Sequence, residues 1–93
     1  MDNVALFNEL LTLIKLTDSE DYKASTENDN IVELGLDSFD IVMLSVYLGE
    51  LYDLDNEETN TIPVGTIKET FEYVERQGEA KFTSIEEAME LVR

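Results

Sequence analysis

The chain has 93 residues, 43% of them apolar, enough for one domain with a modest core and too few for two. It carries 22 acidic residues against 6 basic ones, a formal charge of −16. That field argues against nucleic acid and anionic membranes as partners and favours proteins with basic patches. With no Cys and no His there is no disulfide framework, no thiolate zinc site, no thiol nucleophile and no imidazole base. No apolar run approaches the ~20 residues of a transmembrane helix. The start, Met1-Asp2-Asn3, lacks the basic region of a secretory signal, so a cytoplasmic location is expected.

Residues 3–16 read as a first helix, with Val4, Phe7, Leu10, Leu11 and Ile14 at helical spacing and Asp2 or Asn3 able to cap it. Leu6 and Leu13 widen its apolar face. Residues 17–33 are polar and aperiodic, a connection longer than compact domains commonly use. Tyr22, Ile31 and Val32 are the residues able to pin it to a core.

Residues 38–52 predict a second helix, with Asp37 as N-cap and Asp40 in the first turn, where the helix dipole favours an anion. Two apolar stripes run along it. Ile41, Leu44, Leu48, Leu51 and Tyr52 fall on one side; Phe39, Val42 and Val46 fall opposite, with Met43 beside them. A surface helix needs only one such stripe, so a helix with two is either buried all round or binds something; complete burial is difficult in so small a domain, and a binding face is expected.

Residues 53–65 form a loop with room for a helical turn around Glu57 to Thr61. Asp53-x-Asp55-x-Glu57 looks like the opening of a calcium loop, but neither register supplies the sixth-position Gly and twelfth-position Glu. Residues 67–77 predict another helix, opened by Thr66 and Glu69 at capping-box spacing and stopped by Gly78. Residues 84–93 repeat the pattern, with Ser84 and Glu87 as a second box. No segment alternates like a strand, so the fold class is all-α, a small helical bundle.

Self-contained catalysis has little support. A serine nucleophile needs a base within reach. The most placed hydroxyl is that of Ser38, which follows a Gly-containing loop and opens a helix whose free N–H groups suit a phosphate. On spacing alone, a plain cap or first-turn serine is the better explanation, because Ser is common at such positions.

Leu34-Gly35-Leu36-Asp37-Ser38-Phe39-Asp40 resembles the attachment motif of acyl carrier proteins, and the likeness extends over roughly residues 4–77. In that family the serine carries a 4′-phosphopantetheine arm, transferred from coenzyme A by a Mg²⁺-dependent phosphopantetheinyl transferase (holo-synthase). The resemblance implies a four-helix carrier bundle with a long first loop. It implies attachment at Ser38, with Asp37, Phe39, Asp40, Val42 and Val46 at partner-recognition positions. It also implies thioester-bound cargo and no catalytic turnover by the chain itself. Residues 1–78 would then form the carrier domain and 79–93 a C-terminal helical extension. Phe39 replaces the usual Leu, as in some specialised carriers, including D-alanyl carriers. Met43 and Gly49 stand where fatty-acid-synthesis carriers tend to be acidic, so docking would rest on Phe39, Val42, Met43 and Val46. The expected partners are a transferase, an acyl- or aminoacyl-loading ligase, and acyltransferases or synthases with basic docking patches. The chain itself is expected to be a monomer without a metal site. The competing readings are an aminoacyl carrier, and an acidic helical interaction module that never bears an arm.

The charge alone generates one expectation. Self-repulsion loosens the domain in dilute buffer, so the thermal midpoint should rise with added NaCl or Mg²⁺. Midpoints that stay constant across the salt series would refute it.

Overall fold

A computed structural model describes residues 2–93; Met1, at the start of the stretch read for a signal region, lies outside it. Five α-helices follow one another: α1 (Asn3–Ile14), α2 (Ser38–Leu51), α3 (Asn56–Asn60), α4 (Ile67–Gln77) and α5 (Ile85–Val92). A 3-10 turn at Ser19–Tyr22 interrupts the first connection. Among the described residues there is no strand, only one isolated antiparallel bridge between Asn30 and Thr66. The class is all-α. No helix among the described residues is long and apolar enough to cross a membrane.

The helix starts are written in short polar side chains. Asp2 accepts from the Ala5 N–H at 3.1 Å and opens α1. Reciprocal capping boxes open α2 (Asp37 with Asp40), α3 (Asp55 with Glu58) and α4 (Thr66 with Glu69). At α5 the expected box closes differently. Ser84 accepts from the Glu87 N–H at 3.1 Å, but the Glu87 carboxylate reaches past Ser84 to the Thr83 N–H at 2.7 Å and hydroxyl at 2.9 Å.

One core joins all the longer helices. Leu6, Phe7, Leu10 and Leu11 of α1 meet Leu44, Leu48 and Leu51 of α2, Ile67, Phe71 and Val74 of α4, and Ala88 and Met89 of α5. Thr70, a neutral polar side chain buried there, donates to the Pro63 carbonyl at 2.8 Å. The 79–93 segment therefore belongs to the same core as the rest, with α5 lying against α1 and α2. Its loop is bonded to the end of α2 by Glu79 N–H to the Tyr52 carbonyl at 2.9 Å and Lys81 N–H to the Leu51 carbonyl at 2.8 Å. Phe82 packs edge-on against Tyr52, ring centroids 5.5 Å apart.

The long first connection is a strap. Asn8 on α1 bonds both sides of Ala24, donating to its carbonyl and accepting from its N–H. Further on, Ile31 N–H donates to Gly65, and Asp29 and Glu27 carbonyls accept from Ile67 and Lys68 at the start of α4. These bonds satisfy backbone groups that an unanchored loop would leave to water.

Gly78 ends α4 with extended backbone, φ −126°, so its role is one of space. A Cβ there would collide with the Tyr52 carbonyl oxygen and approach the Leu54 side chain to 2.6 Å. Gly78→Ala should therefore lower stability by about 1–3 kcal/mol, as overpacking against backbone does. Chemical denaturation that gives the wild-type midpoint would overturn this account of the close approach.

Candidate functional site

The segment before α2 explains its own sequence. Gly35 has φ +108°, a conformation L side chains rarely adopt, and a Cβ there would sit 3.1 Å from the Tyr22 ring. The turn therefore favours glycine, and the ring leaves little room for a larger residue. On either side, Leu36 is buried and Leu34 half-buried against the core, so the loop is pinned at both flanks. The chain then enters α2 with Asp37 as N-cap and Ser38 as first helical residue.

Ser38 is exposed, and its hydroxyl makes no hydrogen bond to the described protein. The Asp40 N–H is taken by the Asp37 carboxylate at 2.9 Å, and the Ile41 N–H by the Asp37 carbonyl at 3.0 Å. The Ser38 and Phe39 N–H groups have no protein acceptor and face solvent, as the first turn of a helix leaves them.

Asp40 is corrected by the structure. It was expected on the recognition surface, but it is only 4% exposed. One of its oxygens accepts from the Asp37 N–H at 3.1 Å and meets Lys15 Nζ at 2.8 Å. The reason is the helix's own geometry. Position three of the first turn points back toward the N-cap, and α1 ends beside it. Burial alone pushes the Asp40 carboxyl up. The hydrogen bond from Lys15, the Asp37 N–H and the charge of Lys15 outweigh it and hold Asp40 below its ordinary value. Lys15 in turn is raised, first by its hydrogen bond to Asp40. Its ammonium also lies 4.5 Å from the centre of the Tyr22 ring. Lys15 and Tyr22 are thus part of this site, and Lys15 had no visible signal beyond a lone cation closing an apolar helix.

The other recognition candidates stay at the surface in graded fashion. Phe39 is 70% exposed, Val42 57% and Val46 41%, while Met43 is half-buried. Asp37 is exposed, though its carboxylate is engaged as the cap. On the opposite stripe Leu44, Leu48, Leu51 and Tyr52 are buried, and Ile41 is half-buried. The two stripes of α2 therefore divide as the periodicity predicts.

Between α2, the 62–64 segment and Thr70 lies a crevice of only about 10 Å³, lined by Ile41, Leu44, Leu48 and Ile62. That is room for about one water-sized probe. The calcium-like run is used locally: Asp55 caps α3, and Asp53, with φ 55°, pairs with Lys81 at 3.4 Å. Among the described residues no group of three or more carboxylates is placed to hold a metal ion.

Compared with known proteins, the chain matches no family model, no curated protein and no solved structure.

The Asp40 arrangement has a pH signature. Its folded value lies below the ordinary 3.8, so the stabilisation it provides is present above 3.8 and disappears as pH falls through the lower folded value. Asp40→Asn should therefore melt below wild type near neutrality, and the gap should close as pH drops from about 5 toward 2. A gap that is constant over that range would show that Asp40 contributes no charge-dependent stability.

Proposed function

We propose that this is an acyl carrier protein, modified at Ser38 with 4′-phosphopantetheine, that presents thioester-bound acyl groups to partner enzymes. The observation that carries the reading is an exposed, unbonded serine hydroxyl at the first position of a helix, behind a glycine turn. The helix behind it leaves a second apolar stripe uncovered.

The residues fit the group. Ser38 Oγ is open to a modifying enzyme, and the Ser38 and Phe39 N–H groups can donate to a phosphodiester. Lys15 offsets the charge of Asp40 beneath that position. The chain has no His or Cys, so the acceptor for the Ser38 proton comes from the transferase. When attached, the arm supplies a terminal thiol that holds the cargo. Gly35 and Leu36 fix where the serine emerges, and the Asp37–Asp40 box keeps the first turn formed. Phe39, Val42 and Val46 supply apolar contact to a docked enzyme, with Asp37 as the acidic residue left at the rim. Asp40 acts through the helix start instead of touching the partner. The interior crevice admits an acyl chain only if α2 and the 62–64 segment separate.

In this reading helices α1 to α4 form the four-helix carrier bundle, and α5 closes its side. The exposed Phe39 favours a specialised cargo, an aminoacyl group among them. The same uncovered stripe also suits an acidic interaction module with no arm.

Incubation with coenzyme A, Mg²⁺ and a broad-range phosphopantetheinyl transferase should add about 340 Da to the intact mass, and Ser38→Ala should abolish the gain. No gain, or a gain that survives Ser38→Ala, would sink the carrier reading. The interaction module predicts the reverse pattern, a Ser38→Ala chain that keeps its function and a Val42→Asp chain that loses it.

A further inference from the structure

A second surface feature lies at the other end of α2, about 20 Å along the helix from Ser38. The end of α4, the 78–84 loop and the start of α5 enclose an open cleft of about 990 Å³. That is the upper end of the ~300–1,000 Å³ common for ligand sites. Its floor is apolar, with Phe82 edge-on to Tyr52 and Ile85 beside them. Its walls carry the carboxylates of Glu75, Glu79 and Glu86, and no basic side chain lines it. The basic residues nearest in sequence are held elsewhere: Arg76 over the Tyr73 ring at 5.7 Å, and Lys81 against Asp53 at 3.4 Å.

Tyr52 is the observation that lifts this above an acidic patch. It is 97% buried, yet among the described residues its hydroxyl makes no hydrogen bond. The hydroxyl is not sealed from solvent either, so it opens onto the cleft that Tyr52 lines. With no protein partner among the described residues, this phenol leaves its oxygen free to accept from a donor that enters the cleft. Burial first, and the charge of Glu75 second, push this phenol up to about 12, so it stays neutral and keeps its oxygen lone pairs for a donor. The carbonyl end of α4 adds a partial negative charge on the same side. The positive end of α5 is already answered by Ser84, Glu86 and Glu87.

We propose that this cleft is a docking site for an arginine-bearing segment of a partner protein. An arginine side chain matches the surface at both levels. Its methylenes cover Phe82 and Ile85, and its planar guanidinium offers forked N–H donors to the Glu75, Glu79 and Glu86 carboxylates and to the Tyr52 oxygen. The volume of the cleft, about 990 Å³, exceeds that of one side chain, which favours a segment of polypeptide over a lone cation. The proposal does not rest on modification at Ser38.

The test is an amide NMR titration of the full ¹⁵N-labelled chain with an end-blocked Gly-Leu-Arg-Arg-Leu-Gly peptide. Its counterpart with citrulline in place of both arginines serves as the neutral isostere. Shifts should concentrate at Tyr52, Glu75 and residues 78–86, and citrulline should abolish them. Neutralising the cleft together, Glu75→Gln, Glu79→Gln and Glu86→Gln, should weaken binding about tenfold. Neutralising three carboxylates elsewhere, Glu27→Gln, Glu33→Gln and Glu57→Gln, should change it less than about twofold. Tyr52→Phe keeps the ring and the fold and should weaken binding about threefold, a second reading should the triple variant not fold. Equal losses from the two triple variants would overturn the proposal in favour of a general acidic field. So would shifts centred on residues 27–46, binding of the citrulline peptide, or an unchanged affinity in Tyr52→Phe. Ser38→Ala should titrate as wild type, so the outcome is separable from the fate of the carrier reading.

Discussion

A single carboxylate, that of Asp40, ties the start of α2 to the end of α1. It accepts from the Asp37 N–H and from Lys15, and its own N–H is held by the Asp37 side chain. Removing it from water costs free energy that the paired charge and two hydrogen bonds offset. The direction in which Ser38 leaves the surface depends on this knot. Tyr22 adds to it from the far side, packed between the Lys15 ammonium and the backbone of Gly35. Three stretches, the end of α1, the 3-10 turn and residues 35–40, thus meet at the start of the helix that Ser38 opens.

From there α2 runs as an axis with two different faces. Leu44, Leu48 and Leu51 face the core shared with α1, α4 and α5. Phe39, Val42 and Val46 face water. An apolar stripe left uncovered in so acidic a molecule is selective by contrast. Around it, unpaired carboxylates raise the local concentration of basic partners, and the apolar stripe rewards only those that also exclude water.

How much of this was readable follows from the range of the forces involved. Stripes and caps are local, so the two faces of α2, the Asp37 cap and the box at Thr66 follow from residues three or four apart, whereas the box at Asp55 sits in a run that reads first as a calcium-like loop. The Lys15–Asp40 pair joins positions 25 residues apart, and nothing in an acidic chain distinguishes a carboxylate that will turn inward. Phe82 lies between polar loop residues, without periodic neighbours to announce its burial, and so the depth of the 79–93 segment in the core was not legible. The strap over 17–33 has no period either, because it is held by Asn8 and by backbone bonds to α4 instead of by a stripe of its own. At α5 the spacing of Ser84 and Glu87 was right, while the partner of Glu87 shifted by one residue to Thr83, whose hydroxyl adds a second bond.

The two bonds from Glu79 and Lys81 back to the Tyr52 and Leu51 carbonyls tie the far end of α2 to the segment after Gly78. A fragment ending there would strip Tyr52 of its aromatic neighbour and leave the last carbonyls of α2 without those donors. The helix that bears Ser38 would then fray from its far end. A chain cut after Gly78 would therefore differ from the uncut one in the rigidity of its central helix, well away from the cut.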